Sequence, residues 1–287
     1  MAKLYSRQTF LDRLWSEIRR GKPLVMAAAG NGLAAKFIER GGVDILGVYN
    51  TGYFRMQGYG SLAGMLPMLD ANQVVFDMGR KEVLPQVKQV PMVVGVNGVD
   101  VLRDMQGFLE DCRRIGFSGV HNFPTVGWFD GEFRKTLEET GLGYQKEIDM
   151  LNSARELDML TVGYAFNEAD TEKLMRGAAP DVYIFHAGIT RGGSTGYGSG
   201  RSLEEMAART QAFGALAKAI KPDVILLAHG ASLTEPGDAQ YLLENCDCHG
   251  VQVGSSIERL GIEQPLEQRT TAFKSVRFPA GVQRWPS

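Results

Sequence analysis

The chain has 287 residues, 44% of them hydrophobic, and its 31 Lys and Arg nearly balance 33 Asp and Glu, for a formal net charge of −2. That length suits one α/β barrel of roughly 250 residues with an insertion, the apolar share excludes an intrinsically disordered chain, and the interspersed charges leave no basic stripe for nucleic acid. There is no run of about 18 apolar residues to span a membrane and no apolar signal core in MAKLYSRQTFLDRLW, so a cytoplasmic protein without membrane segments is expected.

Residues 6–20 read as a helix, with Ser6 as its N-cap and Phe10, Leu11, Leu14, Trp15 and Ile18 on one side. Leu24–Ala28 follows as a short apolar strand, Ala34–Arg40 as a helix closed by Gly41 and Gly42, and Asp44–Tyr49 as a second strand. Asn50 to Val90 then runs about 40 residues, more than one crossover helix needs. This extended connection, 51–90, carries Tyr53, Phe54, Tyr59, Met65, Met68 and Asp70-Ala71-Asn72 and is expected to fold over the barrel mouth. Met92–Val96 and Gly119–His121 supply the third and fourth strands; Leu160–Tyr164, Val182–His186, Val224–His229 and Val251–Gly254 supply the rest. Between them lie amphipathic stretches at Val101–Ile115, Phe133–Leu137 with Tyr144–Glu156, Ala169–Arg176, Leu203–Ile220 and Gly237–Asn245.

Strands that are apolar almost throughout are buried on both faces, which requires a parallel sheet covered by helices. Eight such β-then-α units close into a (β/α)₈ TIM barrel, a single domain over 1–287 with an added N-terminal helix. An open doubly wound sheet is the alternative, but Gly30-Asn31-Gly32 lacks the third glycine of a dinucleotide fingerprint. The stretch 258–287, with Leu260, Ile262, Leu266, Phe273 and Phe278, is expected as a C-terminal helix and tail. It packs as the eighth helix or reaches a neighbouring subunit, and a homo-oligomer is expected.

Three of the four histidines end strands: His121 the fourth, His186 the sixth and His229 the seventh, while Asn50 and Asn97 end the second and third. Closure of a barrel brings such positions to one mouth, where barrel proteins bind their ligands. The connection from His186 to Gly200 is rich in glycine and hydroxyl residues, as a mobile lid or anion cradle would be, and Arg191 suits a carboxylate or phosphate. A plain solvent-exposed loop is the competing reading. His229-Gly230 with Gly254-Ser255-Ser256 forms the candidate anion site, although helix capping explains the serines equally well.

Glu168 is the main carboxylate near the mouth. No strand end carries a DxD pair, and neither HExxH nor GxSxG occurs. No metal is assigned. A three-histidine zinc site is conceivable, but strands four, six and seven lie far apart around the rim for such short ligand distances. Three cysteines, an odd number, point to a reducing compartment. Cys246-Asp247-Cys248-His249 has soft-ligand residue types but precedes the last strand, on the face opposite the mouth, which argues against a metal there.

Gly30-Asn31-Gly32-Leu33-Ala34-Ala35-Lys36, followed by Asp44-Ile45-Leu46-Gly47, Asp70-Ala71-Asn72-Gln73, Gly116-Phe117-Ser118-Gly119-Val120-His121 and Phe166-Asn167-Glu168-Ala169, is similar to the motif series of the phosphoenolpyruvate mutase and isocitrate lyase superfamily. More closely, the chain resembles its phosphoenolpyruvate-hydrolase-like, or TIM-barrel signal-transduction, group, whose members resemble the barrel domain of a plant tomato mosaic virus resistance protein. The resemblance implies a small anionic substrate, an α-keto acid or its phosphonate, bound through Mg²⁺ with a C–C or C–P bond broken or rearranged. Most ligands for that ion are absent. Gly95-Val96-Asn97 stands where the superfamily has Asp-x-Asp, Asn122 or Phe123 replaces the acidic ligand of strand four, and the strand-five arginine falls near Tyr164 or Ala165.

The expected activity is therefore a hydrolase or lyase acting on a small phosphonate, phosphorylated or α-keto acid, with phosphonopyruvate-hydrolase-like C–P cleavage its most concrete form. His121, His186, Asn97 and Glu168 are the candidate catalytic residues. Asn31, Asn50, Asn122, Arg191, His229, Gly230, Gly254, Ser255 and Ser256 are the candidate binding residues. The alternative is a non-catalytic or regulatory barrel that binds an anionic metabolite or a protein partner.

Overall fold

Eight parallel strands hydrogen-bond in chain order and the eighth returns to the first, so the sheet closes and has no edge. In the computed structural model, which describes residues 2–277, they are β1 Leu24–Ala28, β2 Ile45–Val48, β3 Met92–Gly95, β4 Gly119–His121, β5 Leu160–Ala165, β6 Val182–His186, β7 Ile225–His229 and β8 Gly250–Val253. The helices are α1 Arg7–Arg19, α2 Gly32–Arg40, α3 Asn50–Met56, α4 Ala71–Met78, α5 Met105–Ile115, α6 Gly131–Glu139, α7 Gln145–Glu156, α8 Glu168–Gly177, α9 Leu203–Ile220, α10 Pro236–Asn245, α11 Ser255–Glu258 and α12 Leu260–Lys274. This is a (β/α)₈ barrel. The uniformly apolar strands have the reason expected of them: one set of side chains fills the lumen and the alternate set packs under the helices.

The lumen holds Leu24, Met26, Ile45, Val93, Leu160, Val162, Val182, Ile184, Ile225 and Leu227, and Phe10 and Leu14 of α1 join the same cluster. Tyr49, Phe123 and Tyr164 continue that cluster toward the mouth. The outer layer is a second cluster between strands and helices, with Phe117, Leu109, Leu151, Leu174 and Leu242 among its members. Ser6 caps α1 as its side chain accepts from the Thr9 N–H.

Two segments differ from their expected form. Helix α5 begins at Met105 rather than Val101, because Asp100 Oδ1 accepts the Leu102 N–H at 3.1 Å and holds residues 100–103 in a turn. In the connection 51–90, only residues 51–71 lie at the C-terminal ends of the strands: α3 and a 3₁₀ turn at Ser61–Met65 line one cavity there, and Leu66 to Ala71 border a separate hollow with Asn97 and Pro124. Asp70 then caps α4, whose Val75 and Met78 bury themselves in the outer layer. Helix α12 has no buried residue, and Phe278 and the rest of the expected tail lie outside the described residues. Among the described residues no helix is long and apolar enough to cross a membrane.

At the seam between β1 and β8, a Cβ on Gly250 would lie 2.0 Å from the Leu24 carbonyl oxygen. Gly250→Ala is therefore expected to cost about 1–3 kcal/mol or more through overpacking. A lower urea midpoint at unchanged slope would show it; an unchanged midpoint would mean the seam is looser than this.

Candidate functional site

A cavity of about 50 Å³ opens at the C-terminal ends of the strands. Its wall comes from α3 (Thr51, Arg55), the 3₁₀ turn (Ser61, Met65), the ends of β6 and β7 (His186, His229), and the end of β8 with the start of α11 (Gln252, Gly254, Ser255). Tyr49, Phe123, Trp128 and Tyr164 supply aromatic surface, and Gly188, Ile189 and Thr190 close the side.

His186 and His229 are register partners on neighbouring strands. Their ring centres are 4.5 Å apart with the planes at 84°. His229 Nδ1 lies 2.9 Å from the Gln252 carbonyl oxygen, which can only accept, so this nitrogen carries the proton and Nε2 keeps its lone pair. The Gly188 N–H donates to His186 Nδ1 at 3.1 Å, so there the proton sits on Nε2. Burial pushes His229 down to about 4. His186 is held well below the usual imidazole range by burial and by the nearby His229 and His121 rings. Both are neutral near pH 7, one an acceptor and the other a donor. Phe166 stacks on His186 with ring centres 5.0 Å apart, and Trp128 meets it edge-on at 4.7 Å, fixing the donor's orientation.

His121 does not join them. It is fully buried and lies outside the cavity wall, with its ring 3.9 Å from that of Tyr164. A hydrogen-bond chain runs to it: Tyr164 donates to Gln252 Oε1 at 2.6 Å, Gln252 Nε2 donates to Tyr49 Oη at 3.1 Å, and Tyr49 is left to donate to His121 Nδ1 at 2.9 Å. The chain orients Gln252 and so supports the carbonyl that sets the His229 tautomer.

Arg55 is the cation of the wall. Its Nε donates to Glu258 Oε2 at 2.7 Å, its Nη2 reaches the same oxygen, and its Nη1 donates to Ser61 Oγ at 3.1 Å. Ser61 Oγ and Ser255 Oγ are 3.2 Å apart. The ion pair is almost wholly buried, at 5% and 0% side-chain exposure. Glycine lets α3 pack closely against the turn after β1: a Cβ on Gly30 would lie 2.2 Å from the Gly52 carbonyl oxygen.

Several sequence-selected residues belong elsewhere. Asn31 caps α2, accepting the Ala34 N–H at 2.8 Å. Asn50 is buried beside the wall and ties down the 3₁₀ turn by donating to the Gly64 carbonyl at 2.7 Å. Asn97 faces a separate hollow with Asp70, Asp100 and Arg103, and its N–H donates to Asn72 Oδ1 at 2.9 Å. Asn122 is fully buried and bridges β4 to β5 by accepting the Tyr164 N–H at 2.7 Å. Glu168 is exposed in the first turn of α8. Arg191 is exposed and donates to Ser232 Oγ at 3.3 Å. Gly230, at φ +93°, packs against Gly188 behind the wall. Ser256 donates to the Leu233 carbonyl at 2.7 Å and faces another hollow. Of the selected residues, His186, His229, Gly254 and Ser255 line the cavity.

Tyr49, Arg55, Trp128, Gln252 and Glu258 were not selected. Thr51 and Arg55 are one helical turn apart on α3, so the i, i+4 spacing that places both over the mouth was the available signal.

Asn122 also donates to Glu147 Oε2 at 2.7 Å, while the Val126 N–H donates to Oε1 at 2.7 Å. Burial pushes this carboxyl up to about 7, against hydrogen bonds from Thr125, Val126 and Asn122 that lower it. A carboxyl raised in the folded state binds its proton there and releases it on unfolding. Stability should therefore fall as pH rises from about 4.5 to about 7. Glu147→Gln is expected to start about 1–3 kcal/mol lower, having lost an acceptor, and to lack this slope in denaturant melts across that range.

Mg²⁺ does not fit these residues. No carboxylate lines the cavity, and a hard cation wants oxygen ligands. Gly95, which the resemblance sets against a superfamily aspartate, lies against the Tyr49 ring, where a Cβ would be 2.5 Å from Cδ1. Among the described residues no three His, Cys, Asp or Glu side chains are grouped to hold a metal ion.

The chain is a closed β/α barrel with a small, imidazole-lined cavity at its C-terminal mouth. Residues 9–276 match the phosphoenolpyruvate hydrolase-like family, and the chain belongs to it. It is 44% identical over 274 residues to the ToMV resistance protein Tm-1(GCR237) of Solanum lycopersicum, covering 95% of this chain and 36% of that one. The ToMV susceptible protein tm-1(GCR26) of the same species matches equally. The chain thus spans about a third of the length of these curated relatives. Among solved structures it is similar to phosphonopyruvate hydrolase in complex with oxalate and Mg²⁺, with a TM-score of 0.57, 16% identity and coverage of 95% and 92% of the two chains. A phosphoenolpyruvate phosphomutase of Streptomyces platensis subsp. rosaceus gives 0.57 at 14% identity, covering 92% and 87%. At these identities the likeness is one of fold.

Proposed function

We propose that the barrel mouth is a hydrolase or lyase site for a small α-keto acid or its phosphonate, working by proton transfer between His229 and His186. The observation that carries this reading is the opposite polarity of two neutral imidazoles at 4.5 Å across one cavity wall. His229 Nε2 accepts a proton, and His186 Nε2–H gives one to the oxygen on which charge develops. The Arg55 guanidinium, with the Ser61 and Ser255 hydroxyls beside it, faces the carboxylate of the substrate. A volume of about 50 Å³ has room for a few water molecules, which suits an acid of a few carbons.

Phosphonopyruvate is the most concrete substrate. His229 takes a proton from water as its oxygen bonds to phosphorus; the C–P electron pair becomes an enolate, and His186 protonates its oxygen. The enol reverts to pyruvate, phosphate leaves, and the proton on His229 returns to His186 through solvent.

A second reading, a barrel that binds such an acid without turnover, is favoured by one observation: Glu258 already neutralises Arg55. Protein treated with chelator is incubated with phosphonopyruvate and a panel of short α-keto acids, and product and calorimetric binding are both measured. Product in excess over protein, lost in His229→Ala, is the expected result. Binding without product selects the second reading, and neither binding nor product overturns both.

A further inference from the structure

We infer that Cys246 and Cys248 form a redox-active dithiol that exchanges with small-molecule disulfides and closes on itself as an internal disulfide. The pair sits between α10 and β8, at the N-terminal end of the barrel and away from the mouth. The Cys248 N–H donates to the Cys246 carbonyl at 2.9 Å, closing a three-residue turn that draws the two residues together. The sulfurs are 3.6 Å apart, and the Cys246 thiol also lies 3.0 Å from the Leu242 carbonyl. Lys218 Nζ bonds the intervening Asp247 and anchors the turn to α9.

The two thiols differ in the way an exchange reaction needs. Cys248 is part-exposed, whereas Cys246 is 8% exposed. The hydrogen bond from Cys246, together with the Gly250 N–H, holds the Cys248 thiol below its usual range, which favours the attacking thiolate. The third cysteine, Cys112, is fully buried in the outer core and burial pushes its thiol up, so it is inert. A metal is the poorer use of the pair. The His249 ring commits Nδ1 to the Leu226 N–H and packs edge-on to Trp15, and among the described residues no third ligand is grouped with the sulfurs.

In the reaction the Cys248 thiolate attacks one sulfur of a disulfide RSSR, forming a mixed disulfide and releasing RS⁻. Cys246 then attacks the Cys248 sulfur, giving up its proton and displacing the second RS⁻. The protein loses two electrons and two protons, and both leave with the two RSH molecules.

The test uses the intact chain treated with oxidised glutathione, then alkylated and digested. In the wild type the peptide holding both cysteines is expected to be two hydrogens lighter and unalkylated, with Cys112 alkylated only after denaturation. Cys246→Ser is expected to stop at a glutathione adduct on Cys248. Two alkylated thiols in the treated wild type, or an adduct that persists there without ring closure, would overturn the proposal. The α-keto acid assay does not depend on either outcome.

Discussion

Replacing His229 with alanine is expected to lower kcat/KM by about 10²–10⁴-fold while leaving the circular dichroism of the barrel unchanged. The size follows from the part assigned to Nε2, which takes a proton as the reacting bond forms. The pH profile gives a second readout. Burial holds His229 down to about 4, so in the free enzyme the base is ready at neutral pH. kcat/KM should be level there and fall only as pH drops through about 4, where Nε2 takes up a proton and can no longer accept another. A profile that turned over near pH 6.5, or an unchanged kcat/KM in the variant, would remove His229 from the reaction. His186→Ala should be similarly slow, because it deletes the facing donor.

Glu258→Ala should destabilise the protein by about 3–5 kcal/mol, since removing one member of a buried ion pair leaves the other charge without compensation. On a barrel of this size that lowers Tm on the order of 10 °C. Arg55 is 5% exposed at its side chain and Glu258 not at all, so water does little to replace the lost carboxylate. The double variant Arg55→Met with Glu258→Leu should recover much of the loss, because no charge is then stranded. If the single variant melted with the wild type, the pair would be solvated and Arg55 free to move.

The barrel was legible because its signals are local. Each strand is a short apolar run set off by Gly, Pro or polar residues, and the structure moves their ends by one residue at most. The lining of the candidate cavity was legible where a side chain both ends a strand and faces inward, as His186 and His229 do. Strand-end asparagines misled, because a short amide serves equally well as a helix cap, which Asn31 is, or as a bridge between strands, which Asn122 is. His121 ends β4, yet the strand's cavity residue is Phe123, two positions on, and the histidine lies outside the wall. The Arg55–Glu258 pair joins residues 203 apart in the chain, and no local pattern announces such a contact. Gln252 lies inside a strand whose apolar neighbours hide it.

Ring-nitrogen NMR of histidine-labelled protein, after chelation and near neutral pH, tests the central physical claim most directly. The expected spectrum has His229 neutral with its proton on Nδ1 and His186 neutral with its proton on Nε2. A charged imidazolium at either position, or the same tautomer at both, would contradict it.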